Sequence, residues 1–208
     1  MTKILCFGDS NIYGFNPLNG SRYVKKKRWS GILQELAKDK FNVIEAGCNN
    51  RTAFSPNPAG KMMTGIEILP ELLTSDLDIV ILAIGINDLQ FSYNTSLDDY
   101  KRGLPKLINI VKDKSPASEI LLVAPSKITP NILNSFFANL FDKTSIEKSS
   151  QLGEIYKQIA FNNNCKFLNL DDLVKPSSVD GLHYEIQEHN KIAQSIYKIV
   201  EEINLSNF

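Results

Sequence analysis

Five short apolar runs, separated by longer segments with helical spacing, constrain this chain more than any other feature of its sequence. The runs are rich in Val, Ile and Leu and lack polar alternation, which is typical of parallel strands covered on both faces. They cover residues 3–7, 42–46, 78–84, 119–124 and 166–169. Because parallel strands need right-handed crossover helices, we predict an α/β fold with a mainly parallel five-stranded sheet, in a single domain over residues 1–208.

The segments between the strands carry apolar residues at helical spacing. Two of them contain an internal proline, Pro70 or Pro105, that is expected to kink or divide the helix. The apolar stretch at residues 125–144 favours a core helix, with a lid or an oligomer contact as alternatives. The predicted helices cover residues 29–36, 64–73, 97–111, 149–161 and 186–203.

Charge and cysteine usage exclude several classes of partner. The chain has 23 Lys and Arg against 23 Asp and Glu, which gives no reason to expect a nucleic-acid partner or a membrane surface. The basic run at residues 25–28 is interpreted as a solvated loop before a helix. The start of the chain lacks a signal-peptide pattern, and no run approaches the roughly 20 apolar residues of a membrane span. Three cysteines without metal-type spacing predict a cytoplasmic protein without a metal site.

Polar residues follow four of the five strands. Gly8-Asp9-Ser10-Asn11 comes after the first strand, and Asp180-Gly181-Leu182-His183 lies some ten residues after the fifth. The other two clusters occupy residues 47–52 and 85–88. The carboxyl ends of parallel strands share one edge of the sheet, where ligands bind. The four clusters are therefore expected to meet.

The residue types in these clusters fit nucleophilic acyl transfer. A serine hydroxyl needs a base, and His183 lies three residues after Asp180, whose carboxylate can accept the Nδ1 proton and leave Nε2 facing Ser10. The other histidine, His189, is interpreted as a surface residue of an amphipathic helix. Donors for the oxyanion are expected from the Ser10 N–H at a helix start, from the Asn87 side chain and from the loop after the second strand.

Each motif alone has a structural interpretation as a cap or a turn, and only their joint placement favours a site. Nucleotide-binding patterns are missing around Ser10, and so is the Gly-x-Ser-x-Gly pattern of an α/β-hydrolase. A non-catalytic carbohydrate-binding domain on a decayed hydrolase fold is the alternative outside enzymes. The joint presence of Ser10, Asn87, Asp180 and His183 argues against that alternative.

The four clusters, in this order, resemble the blocks of the SGNH hydrolases, the GDSL-type esterases and acylhydrolases, over residues 4 to about 190. The resemblance implies a three-layer α/β/α, flavodoxin-like fold and no cofactor. It makes Ser10 the nucleophile, His183 the base and Asp180 the orienting acid. The implied oxyanion donors are the Ser10 N–H, the Asn87 amide and the N–H of Asn50, which stands where the family usually has glycine.

A closer likeness is to the small arylesterase and acyltransferase-like subgroup, through Gly8 to Gly14, Arg28-Trp29 and Glu45 to Thr52. It implies short acyl groups and a tendency to form homo-oligomers. Asn11, Phe15 and Phe54 are candidate substrate-binding residues, with core packing as the alternative for both phenylalanines.

The predicted function is a serine esterase that cleaves small carboxylic esters, including acetyl esters of sugars or aryl alcohols. Its partner is a small-molecule ester. The alternatives within enzymes are a transacylase and a carbohydrate acetylesterase.

Overall fold

The sheet has five strands, and every neighbouring pair runs parallel. The structure, a computed structural model, describes residues 1–206, with side chains up to residue 205. The strand order is β2-β1-β3-β4-β5, and each strand lies within one residue of its predicted range. The predicted sheet is thus confirmed, and it is wholly parallel. The strands are β1 (Thr2–Gly8), β2 (Phe41–Gly47), β3 (Ile79–Ala83), β4 (Glu119–Ala124) and β5 (Lys166–Asn169).

Helices cover both faces of the sheet, as the predicted three-layer fold requires. They are α1 (Ser10–Tyr13), α2 (Trp29–Ala37), α3 (Gly65–Leu72), α4 (Leu97–Lys114), α5 (Lys143–Ser149), α6 (Leu152–Asn162) and α7 (Ile186–Ser206). Helices α3, α4 and α6 pack on one face, and α2 and α7 pack on the other. Among the described helices, none combines the length and the apolarity that crossing a membrane requires.

The pattern of β1 explains why its residues are apolar throughout. Leu5 and Phe7 point into the core under α3 and α4, whereas Ile4 and Cys6 point into the core under α2 and α7. All four side chains are buried. A strand with helices on both faces has no polar side, so its alternation disappears.

One predicted helix begins later than expected, and the two helices that contain a proline are undivided. The helix expected at residues 149–161 begins at Leu152, because Ser149 ends the separate helix α5. The hydroxyl of Ser149 accepts a hydrogen bond from the Ile128 N–H at 2.9 Å, which ties that helix end to the segment after β4. Pro70 and Pro105 lie inside α3 and α4 and divide neither helix.

The core helix predicted within residues 125–144 is wrong. The segment forms two short 3₁₀ helices, Pro130–Asn134 and Phe136–Asn139. The hydroxyl of Ser135 accepts a hydrogen bond from the Phe137 N–H, and this local bond starts a new turn. Ile132 and Phe141 are buried, whereas Phe136 is 87% exposed, so the apolar residues do not form one buried stripe.

The surface position predicted for His189 is also wrong, because its ring is fully buried. It lies on the face of α7 that packs against the start of α2, where its Nδ1 accepts a hydrogen bond from the Trp29 N–H at 3.3 Å. The rings of Tyr23 and Tyr184 meet it edge-on. Burial lowers the pKa of His189 to about 4.

The basic run is solvated only in part. Lys25–Lys27 form an exposed 3₁₀ turn, as interpreted from the sequence. Arg28 instead is buried and holds the Glu45 carboxylate of β2 with two of its nitrogens. The same guanidinium donates to the Tyr23 carbonyl at 2.8 Å, so it joins α2 to the segment before it.

Candidate active site

The strand order creates a crevice at one edge of the sheet. β1 and β3 are neighbours, but the connection after β1 leads to β2 on one side and the connection after β3 leads to β4 on the other. At such a switch point the loops separate and leave room for a ligand beyond the carboxyl ends of the strands. Ser10 follows β1 and Asn87 follows β3, so both lie at this crevice.

The turn after β1 brings Ser10 close to the sheet. A Cβ atom on Gly8 would lie 2.0 Å from the Ala83 carbonyl oxygen, so only glycine fits there. Asp9 caps α1 by accepting a hydrogen bond from the Asn11 N–H at 3.0 Å, so its carboxyl group is used within its own turn. Burial raises the pKa of Asp9 to about 7.

Ser10, His183 and Asp180 form a continuous hydrogen-bonded line. His183 Nε2 lies 2.9 Å from Ser10 Oγ, and His183 Nδ1 lies 2.7 Å from Asp180 Oδ2. All three residues are buried, with 2–4% of their surface exposed. A proton on Nδ1 donates to the carboxylate, so Nε2 is free to accept the proton of the serine hydroxyl.

Asp180 is itself oriented by the backbone. Its Oδ1 accepts hydrogen bonds from the Leu182 N–H at 2.9 Å and the His183 N–H at 3.0 Å. Burial acts to raise the pKa of this carboxyl, but the hydrogen bonds and the His183 ring outweigh it and hold the pKa below its usual range. Asp180 is therefore ionised when it meets the imidazole.

The residues of the three expected oxyanion donors, Ser10, Asn50 and Asn87, line one pocket. The Ser10 N–H has no partner within α1, because it belongs to the first residue of the helix. The Asn87 side chain donates one N–H to the Arg51 carbonyl at 3.1 Å and keeps a second one. Asn50 takes a left-handed backbone conformation with φ of 60°, one that Asn tolerates better than most residues, and lines the same pocket.

The loop after β2 is fastened to the loop after β3 by one buried carboxylate. Asp88 accepts hydrogen bonds from the N–H groups of Ala53, Phe54 and Ser55 at 2.6, 3.1 and 2.9 Å. Burial raises the pKa of Asp88, and these three donors act against that rise. The position of Asn50 relative to Asn87 thus depends on Asp88.

A pocket of about 100 Å³ opens beside Ser10. It has room for a group of several non-hydrogen atoms. Phe15 lines it and packs on the His183 ring with the ring centres 4.3 Å apart. The other lining residues are Ser10, Asn49, Asn50, Asn87, Phe137, Leu140, Phe141, Leu182 and His183.

Two predicted substrate-binding residues lie elsewhere. The Phe54 ring packs edge-on against Tyr100 and over Gly103, so the alternative of core packing describes it. Asn11 lines a separate internal cavity behind the turn, next to Trp29. The structure does not bring either side chain to the pocket at Ser10.

Several pocket residues were not predicted from the sequence. Phe137 and Leu140 come from the segment that was expected to form a core helix, and Asn49 directly precedes the predicted donor Asn50. The Asn49 Oδ1 has no hydrogen-bond partner among the described residues. In the described part of the chain, no group of three or more His, Cys, Asp or Glu side chains is arranged to hold a metal ion.

Comparison with solved structures finds the same fold in known esterases. The aryl esterase of M. smegmatis is 26% identical, with a TM-score of 0.90 over 98% of this chain and 100% of that one. Est24, a carbohydrate acetylesterase from Sinorhizobium meliloti, is 28% identical, with a TM-score of 0.90 and the same coverage. A member of the lipolytic protein G-D-S-L family from Veillonella parvula, at 15% identity, shares the fold with a TM-score of 0.71 over 96% of this chain and 98% of that one.

Comparison of sequences gives the family. A search of curated proteins finds no match to this chain. The sequence profile of the GDSL-like lipase/acylhydrolase family matches residues 6–186, which include all four polar clusters at the sheet edge. The chain belongs to the GDSL-like lipase/acylhydrolase family, whose members are esterases and acylhydrolases.

Proposed function

We propose that the protein is a serine esterase that cleaves small carboxylic esters with a short acyl group through an acyl-enzyme on Ser10. The observation that carries the proposal is the line of two hydrogen bonds, from Ser10 Oγ to His183 Nε2 and from His183 Nδ1 to Asp180. This arrangement supplies a nucleophile, a base of the correct tautomer and a carboxylate that stabilises the imidazolium.

The reaction begins when Ser10 Oγ attacks the ester carbonyl and His183 Nε2 takes the hydroxyl proton. The negative charge that forms on the carbonyl oxygen is met by the N–H groups of Ser10, Asn50 and Asn87. The ester C–O bond then breaks, and His183 returns the proton to the departing alcohol oxygen. A water molecule attacks the acyl group in the same way and regenerates Ser10.

The size of the pocket supports a short acyl group. Leu140, Phe141 and Leu182 lie around a space of only about 100 Å³ next to the serine. A larger and more open groove of about 440 Å³ lies on the other side of Phe15 and Phe137. We assign the acyl group to the small pocket and the alcohol to the groove.

The lining of the groove favours an apolar alcohol such as a phenol. Leu18, Phe136 and Val179 present large exposed apolar side chains there. A carbohydrate acetyl ester is the second candidate, because the polar side chains of Asn19 and Ser135 also line the groove and because Est24, a carbohydrate acetylesterase, shares the fold. The ratio of kcat/KM for phenyl acetate to that for an acetylated oligosaccharide separates the two, and we expect it to exceed one.

The proposal is tested with nitrophenyl esters from acetate to octanoate. We expect kcat/KM to fall with acyl length and the Ser10→Ala variant to lose at least about a thousandfold in kcat. A folded Ser10→Ala variant with full activity would overturn the mechanism. Adding an alcohol and analysing the products tests the transacylase alternative, in which the alcohol replaces water. The cytoplasmic location and the homo-oligomer stay predictions.

A further inference from the structure

Gln90 touches both loops that supply the proposed oxyanion donors. It directly follows the 3₁₀ helix Asn87–Leu89 and is 4% exposed. Its Nε2 donates a hydrogen bond to Asn50 Oδ1 at 2.6 Å and a second one to Asn87 Oδ1 at 3.3 Å. One amide nitrogen has two N–H groups, and Gln90 uses one for each loop.

The contact with Asn87 determines which way its amide faces. Asn87 Nδ2 donates to the Arg51 carbonyl, and its Oδ1 accepts from Gln90. Turning this amide by 180° would set oxygen against the Arg51 oxygen and nitrogen against the Gln90 nitrogen. Both hydrogen bonds would be lost in a buried place, and each group left unpaired there would keep its full desolvation cost. Gln90 therefore keeps an Asn87 N–H, and not its oxygen, directed at the pocket.

The contact with Asn50 holds a backbone conformation that is otherwise unfavourable. The left-handed region is open to Asn but costs it free energy relative to extended or helical backbone. Asn50 is fixed on two sides, since its carbonyl accepts from Asn57 Nδ2 at 2.9 Å and its side chain accepts from Gln90. The direction of the Asn50 N–H follows from that backbone.

We propose that Gln90 is a positioning residue that sets the direction of the two oxyanion donors from Asn50 and Asn87. The proposal rests on the acyl-enzyme mechanism described above. Donors stabilise a developing oxyanion most when they need no reorganisation during the reaction. Gln90 touches neither substrate nor nucleophile, and it acts through the two asparagines.

A purely structural role for Gln90 makes a different prediction. If its hydrogen bonds only fastened the two loops, their loss would lower the melting temperature and leave kcat unchanged. If they orient the donors, the loss appears in kcat, because the oxyanion exists only in the transition state and the adjacent intermediate. The substrate itself needs no such donor to bind, so KM stays the same.

The test compares Gln90→Leu and Gln90→Glu with the wild type on 4-nitrophenyl acetate. Leucine removes both hydrogen bonds at similar volume, and we expect kcat to fall about ten- to hundredfold with KM within about twofold. Glutamate keeps the shape but offers only acceptors when ionised, so Asn87 turns its nitrogen away from the pocket. We expect it to lose at least as much kcat, and it serves as the second variant if leucine impairs folding.

Gln34→Leu is the matched control. Gln34 joins α2 to β2 through hydrogen bonds to Phe41 and Val43, away from the pocket. We expect this variant to lower the melting temperature and leave kcat unchanged. It thereby reports what the loss of a structural glutamine does by itself.

A double-mutant cycle gives the decisive readout. A residue that acts through Asn87 has less to contribute once that amide is gone, so Gln90→Leu should cost severalfold less in the Asn87→Ala background than in the wild type. Equal cost in both backgrounds, or wild-type kcat in folded Gln90 variants, overturns the positioning role. If Ser10→Ala retains activity, the acyl-enzyme mechanism fails instead, so the two failures are distinguishable.

Discussion

The ring of His183 is held at both nitrogens, and each hydrogen bond has its own consequence. Asp180 accepts from Nδ1 and is fixed in turn by two backbone N–H groups. The bond therefore selects the tautomer as well as the position of the ring. Any replacement that keeps the shape of Asp180 but offers a donor to Nδ1 would put the proton on Nε2.

Asp180→Asn tests this dependence. The amide can donate to Nδ1, which then must accept, so Nε2 carries the proton and no longer serves as a base. We expect kcat to fall by about 10³–10⁴ with little change in KM, measured with 4-nitrophenyl acetate. Asp172→Asn, at an exposed position in the same region, is the control. A loss of less than about tenfold would contradict the role given to Asp180.

The sequence was sufficient to predict those site residues whose position follows from where a strand ends. Ser10, Asn87 and His183 follow strands that were identified from apolar runs, and the three meet at the expected edge. Asn11 and Phe54 were assigned to the pocket by neighbourhood along the chain, but the direction of a side chain on a short turn depends on packing. Gln90 was missed because its two acceptors lie on separate loops.

At the scale of elements, the two loops that carry Asn50 and Asn87 behave as one unit. Their regular structure at the pocket is limited to the short 3₁₀ helix Asn87–Leu89, and Asp88 joins the two loops by accepting from three consecutive N–H groups. Loops with short polar residues are mobile unless their backbone groups find partners. The rigidity of the oxyanion pocket therefore depends on this carboxylate.

Asp88→Asn weakens that junction. The NH₂ group of the new amide cannot accept a hydrogen bond, so at least one of the backbone N–H groups loses its acceptor. We therefore expect the free energy of unfolding to fall by about 2 kcal/mol. We expect kcat to fall severalfold as well, because the loop that carries Asn50 loosens. Urea unfolding and ester hydrolysis measure the two effects. Asp98→Asn, an exposed carboxylate on α4, should change neither, and an unaltered Asp88 variant would refute the junction.

The elements that were predicted well are those whose apolar residues follow one regular pattern from end to end. The parallel strands have apolar residues at almost every position and the long helices have them at helical spacing, and every observed bound lies within about three residues of the predicted one. The apolar residues of the segment 125–144 have helical spacing too, but their side chains face three different surroundings: the core, the pocket and solvent. Periodicity alone does not separate these cases, so the helix predicted there was wrong.

On the scale of the whole molecule, α7 and α2 form the outer layer behind the site, and His189 lies between them. The sequence did contain a signal for its burial, since His189 precedes Ile192, Ala193, Ile196 and Val200 on one helical stripe. The pKa of about 4 follows from burial first, and the nearby positive charge of Arg28 lowers it further. A neutral buried histidine makes the packing of this layer sensitive to acid.

The free energy of unfolding depends on pH because the folded and unfolded states bind different numbers of protons at His189. Between pH 6.5 and about 4 the unfolded chain binds a proton at His189 that the folded protein does not bind, so stability falls as pH falls. The full difference amounts to about 3 kcal/mol. We expect His189→Gln to lose less stability than the wild type over this range, as measured by urea unfolding at several pH values.

Asp9 gives the free energy of unfolding the opposite dependence on pH. Its raised pKa of about 7 means that the folded protein holds a proton that the unfolded chain releases, so this contribution is lost as pH rises towards 7. Because the wild type and the His189→Gln variant both contain Asp9, its contribution cancels when their plots of unfolding free energy against pH are compared. If the unfolding free energy changed equally with pH in the two proteins, a neutral buried His189 would be refuted.

The contact between Ser10 and His183 also has a consequence for synthesis on the ribosome. The two residues are 173 positions apart in the chain. At a translation rate of roughly 5–20 residues per second, His183 is added roughly 9 to 35 seconds after Ser10. A nascent chain that stops between Asn87 and His183 contains Ser10 and all three proposed oxyanion donors but lacks the base that activates the hydroxyl. The proposed esterase activity therefore cannot begin before His183 has been added to the chain.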